Sequence, residues 1–156
     1  MEQNNYIKKI KQDGFVIIRN IVKREKIQKI LSELPNIEKK ASKLKRKYYH
    51  KTNDGKGNTI HNINEFVKSG EIIKLSKDKK IIHLVQSILK DVPVLRNIEF
   101  FLKPKKNKML TPFHQDNFYW NIIGANAVNV WIACSNTSRK NGGICYLKKS
   151  HKIGTI

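Results

Sequence analysis

The segment Thr111-Pro-Phe-His-Gln-Asp-Asn-Phe-Tyr-Trp120 sets an imidazole and a carboxylate two positions apart among aromatic side chains. On extended backbone, side chains at i and i+2 project to the same face, so His114 and Asp116 can reach one point while Gln115 turns away. A nitrogen and an oxygen donor so placed suit adjacent positions on a divalent metal; sets of two His and one carboxylate bind Fe(II) and leave coordination positions open. The third ligand must come from elsewhere. Pro112, the preceding strand and the ring of Phe113, Phe118, Tyr119 and Trp120, which could shape a dry pocket, favour this reading. The competing reading is a loop in which His114 and Asp116 hydrogen-bond to each other while the aromatics fill a core, and the residues by themselves leave both open. His83 has no second ligand at i+4 or i−4, and His50 and His61 have no ligand-like neighbours.

The elements that must position this pair fall into two groups. Residues 3–13 place Tyr6, Ile7 and Ile10 on one helical stripe, and Gly14 stands where helices commonly end in a left-handed residue. A short strand fits residues 15–19. Ile27, Ile30, Leu31 and Leu34 recur at helical spacing from Arg24 onward, and Pro35 is expected to close that helix. Asp78 is a plausible N-cap for a helix running to Lys90, with a wide apolar face of Ile81, Ile82, Leu84, Val85, Ile88 and Leu89. Residues 53–58, Asn-Asp-Gly-Lys-Gly-Asn, are turn chemistry with one carboxylate, too few for a calcium loop. From Val94 the character changes: residues 94–102, 127–134 and 143–147 are rich in β-formers. Helices first and strands later imply an α+β fold in one domain spanning 1–156.

Lys plus Arg outnumber Asp plus Glu by 32 to 12, a formal net charge of +20. Only five of these cations are Arg, the residue of bidentate phosphate contact, and the excess of Lys accompanies many Ile and Asn, as compositional drift would produce. The densest basic run, residues 38–51, ends in Tyr48, Tyr49 and His50, so a noncatalytic module binding nucleic acid or another polyanion is the alternative function. A solvated helix face running into a loop is the favoured account, because no RNA-binding signature accompanies the run, and no specific nucleic-acid partner is expected. Cys134 and Cys145 lack a C-x-x-C spacing and read as buried free thiols. With no signal-like start and no run of 18 apolar residues, the expectation is a cytoplasmic protein without a membrane partner.

A series of features in fixed order resembles the phytanoyl-CoA dioxygenase family of Fe(II)/2-oxoglutarate-dependent oxygenases. Residues 12–19, Gln-Asp-Gly-Phe-Val-Ile-Ile-Arg, match the family's opening strand; Phe101-Leu-Lys-Pro104 precedes Thr-Pro-Phe-His-Gln-Asp; Val130-Trp-Ile-Ala133, Asn141-Gly-Gly-Ile144 and Lys149-Ser-His-Lys152 follow. The resemblance implies a hydroxylase acting on a small-molecule substrate, with His114 and Asp116 as iron ligands and Trp131 and Lys103 lining the 2-oxoglutarate side. Its fold would be a double-stranded β-helix, a jelly-roll, with a helical part at 1–92 and a partial β-helix at 93–156. The family's distal histidine and its 2-oxoglutarate-pairing arginine lie beyond the segment matched by residues 149–152, so the C-terminal strands are expected to be missing and the chain to be a fragment of low activity. Open strand edges would then offer a route to self-association. His151 matches a family position outside the iron ligands.

Overall fold

A computed structural model describes residues 2–51, 58–103, 111–124 and 126–154. Helix α1 (Glu2–Asp13) ends as its periodicity requires: the Gly14 N–H bonds the Ile10 carbonyl at 2.8 Å and Gly14 adopts φ 88°. Helix α2 (Arg24–Ala41) runs through Pro35 instead of stopping before it. The buried residues of α2, Ile30, Leu34, Ile37 and Ala41, give the reason, for they continue one stripe at spacings of four, three and four. Burying a large aliphatic side chain contributes about 1.5–3 kcal/mol, so Ile37 with Ala41 offsets the roughly 3 kcal/mol cost of an internal proline. Pro35 itself is exposed, where water can satisfy the carbonyl it orphans. Pro35→Ala is expected to stabilise the chain by about 1–3 kcal/mol, read as a raised midpoint of thermal unfolding.

Two short strands follow, β1 (Tyr49–Lys51), at the end of the run that reads as a helix face passing into a loop, and β2 (Asn58–Ile60); the turn read at residues 53–58 lies, but for Asn58, outside the described residues. They pair antiparallel, Tyr49 opposite Ile60, and β2 pairs antiparallel with β3 (Phe100–Leu102), Ile60 opposite Phe100. Helices α3 (Ile63–Phe66) and α4 (Glu71–Ser76), neither evident from periodicity, lead to α5 (Lys79–Leu89). The core gathers α2, Ile60, Ile63, Val67, Ile72, Ile73, Leu75 and Ile81. The architecture is therefore α+β: helices against a small antiparallel sheet of order β1-β2-β3.

Asp78 caps α5 as expected. Its Oδ1 accepts from the Lys80 N–H and its Oδ2 from Lys26 Nζ, both at 3.0 Å, so one carboxylate ties α5 to α2. The Lys26 hydrogen bond leads the effects that hold the Asp78 carboxyl below its ordinary value. A depressed folded-state pKa contributes stability above the unfolded pKa and loses it as pH falls through the folded value. Asp78→Ala is accordingly expected to cost about 1 kcal/mol at neutral pH, and the difference should shrink as urea midpoints are taken at pH values progressively below ~3.9.

Of the strands read from composition, residues 94–102 form one only at β3, and residues 15–19, 127–134 and 143–147 form none among the described residues. β-propensity is a side-chain preference, whereas a strand exists only where another backbone meets it. Large apolar side chains in this part stay exposed, including Val94, Ile123 and Leu147. Among the described residues beyond Leu102, Ile132 is the hydrophobic one packed against the core.

Candidate metal centre

His114 and Asp116 converge, though by another route than extended backbone. Asp116 has helical dihedrals, φ −61° and ψ −27°, at the start of α6 (Asn117–Trp120). The His114 Nε2 lies 3.1 Å from Asp116 Oδ1, and the His114 Nδ1 lies 2.9 Å from the Pro112 carbonyl oxygen. A carbonyl only accepts, so Nδ1 carries the hydrogen. In the neutral ring Nε2 then presents a lone pair toward the Asp116 carboxyl. Such a contact is held by a proton, on the imidazole or on the carboxyl, or by a cation bound to both atoms. Two ligands at ~2.1 Å from a first-row metal and 90° apart are separated by ~3.0 Å, so the spacing fits a metal as well as it fits a hydrogen bond.

Sequence patterning missed the partners that hold the pair. Asn129 donates through Nδ2 to Asp116 Oδ2, which leaves Oδ1 as the oxygen turned to His114. Gln115, between the two candidate ligands, donates to the carbonyls of Ser150 at 3.3 Å and Gly154 at 2.7 Å, beside a depression of about 390 Å³ lined also by Asn117 and His151. The segment so gripped is itself anchored on α1: Lys149 N–H bonds the Asp13 carbonyl at 2.9 Å, and His151 Nε2 donates to the Lys11 carbonyl at 3.1 Å. A Cβ on Gly14 would come within 2.5 Å of His151 Nδ1, so this glycine serves the close approach as well as the turn. His151 is thus committed to α1. Tyr146, stacked on Phe15 at 4.9 Å between centroids, also senses the site: partial burial, then the Asp116 charge, pushes its phenol above the ordinary value. The "DGF" and "KSHK" segments are where these contacts meet; no local pattern pairs them.

The aromatics do not enclose the pair. Phe113, Phe118 and Tyr119 are 73, 68 and 68 % exposed, and the His114 and Asp116 side chains 36 and 38 %, so the dry pocket expected from composition is an open surface. Tyr119 meets the His114 ring edge-on at 5.6 Å, and Trp120 receives the Arg96 guanidinium at 5.3 Å. Lys103 lies across Gly142, whose added Cβ would come 2.7 Å from Lys103 Cδ. Trp131 is 39 % exposed, two residues beyond Asn129. The thiols are free, but Cys145 is exposed and Cys134 only half-buried, enough for burial to push its pKa up. The two tyrosines of the basic run are engaged in packing: Tyr48 donates to Glu65 at 2.6 Å and lies edge-on to Phe66, and Tyr49 donates to Glu38 at 2.8 Å. Among the described residues no group of three or more His, Cys, Asp or Glu side chains could hold a metal, and no helix is long and apolar enough to cross a membrane.

The sequence profile of phytanoyl-CoA dioxygenase (PhyH) matches residues 10–156. The chain belongs to the phytanoyl-CoA dioxygenase family. Members of this family are typically Fe(II)- and 2-oxoglutarate-dependent oxygenases. No curated protein and no solved structure matches the chain. The match runs from α1 through the His114–Asp116 pair to the segment docked on α1, and so takes in the contacts described above that position the pair.

Proposed function

We propose that this phytanoyl-CoA dioxygenase family chain is a non-haem Fe(II)/2-oxoglutarate-dependent hydroxylase of a small-molecule substrate, with His114 and Asp116 as two of the iron ligands. The observation that carries the reading is the Nε2–Oδ1 approach of 3.1 Å with both outer atoms held, Nδ1 by the Pro112 carbonyl and Oδ2 by Asn129. Such outer contacts fix the tautomer and aim the donor atoms, as they do for metal ligands generally. When bound, iron with 2-oxoglutarate and O₂ would supply the oxidising chemistry; the chain's part is to bind and to orient. Trp131 and Lys103 are proposed for the 2-oxoglutarate side, and the setting is proposed to be cytoplasmic, where free thiols persist.

A jelly-roll is proposed from the family membership, and the exposed apolar residues beyond Pro93 are the surface that its strands would cover. With two candidate ligands and no third among the described residues, the 156-residue chain is proposed to hold iron weakly and turn over little. The outer edges of β1 and β3 are the proposed route to self-association. The test is anaerobic addition of Fe(II) and then 2-oxoglutarate to the chain. A visible charge-transfer absorption that appears with both and is lost in His114→Ala is the expected outcome; its absence at millimolar iron would remove the reading.

A further inference from the structure

A second polar basin, of about 460 Å³, is lined by Arg46, Lys47, His50, His61 and Asn62. Strand alternation explains how these residues meet. Tyr49 and Ile60 are opposite one another and Ile60 is fully buried, so His50, and His61 one residue past β2, share the solvent face of the sheet. The backbone bond from His61 N–H to the Tyr48 carbonyl, 2.9 Å, extends the pairing and brings the turn Arg46–Tyr48 alongside. Asn62, at φ 51°, then turns the chain away.

The lining carries two cations, Arg46 and Lys47, with two imidazoles and an amide, and no carboxylate. The two carboxylates nearby are turned to other partners: Glu65 takes the Tyr48 hydroxyl and Lys47, and Glu99 takes the Asn97 amide and His61 Nδ1, both at 2.9 Å. The Glu99 contact orients the His61 ring and leaves Nε2 as its remaining polar atom. Arg46 and His50 have no side-chain partner among the described residues. We propose that this basin binds a phosphoryl group, with the Arg46 guanidinium as the two-pronged donor, Lys47 and His50 as further donors, and His61, whose Nδ1 hydrogen is given to Glu99, donating from Nε2 only as an imidazolium. A tetrahedral dianion suits donors arriving from several directions, and an arginine fork suits two of its oxygens. A nucleic-acid strand is disfavoured because the Tyr48 ring meets Phe66 and Lys47 and the Tyr49 ring packs against the core, so neither provides a stacking platform.

The net charge of +20 attracts any anion, so the test must separate a site from that field. Titrating the full chain with inorganic phosphate and, separately, phenyl phosphate, while following histidine ring resonances by NMR, should shift His50 and His61 and leave His83 and His114 in place. Saturation by phosphate alone identifies a free-phosphate site, and tighter saturation by phenyl phosphate identifies a monoester site. Arg46→Ala should weaken binding at least about tenfold and Arg46→Lys by an intermediate factor. Lys79→Ala, which removes one exposed charge on α5, should change it less than about twofold. Equal losses in Arg46→Ala and Lys79→Ala, a uniform drift of all histidine signals, or tighter binding of a 12-nucleotide single strand that ignores Arg46→Ala would each overturn the proposal.

Discussion

Asp116→Ala and His114→Ala should each lower the affinity of the chain for Fe(II) by at least about 100-fold, while Asn129→Ala should cost about 10-fold or somewhat more, in the range seen when outer-shell partners of metal ligands are removed. The ordering follows from the proposed site. Either of the first two substitutions removes one of two donor atoms that approach to 3.1 Å; the third removes only the contact holding the opposite carboxylate oxygen. Anaerobic titration with Fe(II), or with Co(II) as an oxygen-stable substitute read by its visible absorption, measures all three. Folding does not confound the comparison, because both candidate ligands are more than a third exposed and surface substitutions of this kind shift stability by about 0.5 kcal/mol or less. The competing account, a hydrogen-bonded pair with no metal role, expects all three variants to bind iron as the parent does.

Ile60→Ala should destabilise the chain by about 2–5 kcal/mol. Ile60 is 0 % exposed on the central strand of the sheet, opposite both Tyr49 and Phe100, and belongs to the cluster formed with α2, α4 and α5. Truncating it forfeits the transfer energy of the removed atoms and leaves a cavity that neighbours on three elements cannot all collapse to fill. Ile60→Val should cost about 0.5–1.5 kcal/mol, and Phe101→Ala, on the exposed face of the same sheet, within about 0.5 kcal/mol. Urea unfolding followed by far-UV circular dichroism measures the series; an Ile60→Ala midpoint equal to that of Phe101→Ala would show that the sheet is not part of the cooperative core.

What could be read beforehand divides by the range of the interactions involved. The helices α1, α2 and α5 were legible from apolar spacing, and the ends of α1 and α5 from Gly14 and Asp78, because those signals and the hydrogen bonds they report lie within a few residues of each other. Even there, the continuation of α2 through Pro35 depended on whether Ile37 and Ala41 had a core to enter, which the helix alone does not specify. Strands were least legible. β1, β2 and β3 are three residues each, too short for alternation to register, and two of them lie in segments rich in lysine or turn residues.

Residue types and order sufficed to place the chain in its family; the approach of His114 to Asp116 was expected on extended backbone and is instead reached with Asp116 in helical dihedrals. Which nitrogen of His114 faces Asp116, the Asn129 and Gln115 contacts, the anchoring of His151 on α1 and the meeting of His50 with His61 were decided only by the folded chain. Each of these joins surfaces whose neighbours the sequence does not name, the farthest being Lys11 and His151, 140 residues apart. A local pattern can report which groups are present; only closure of the chain determines which of them share a point in space.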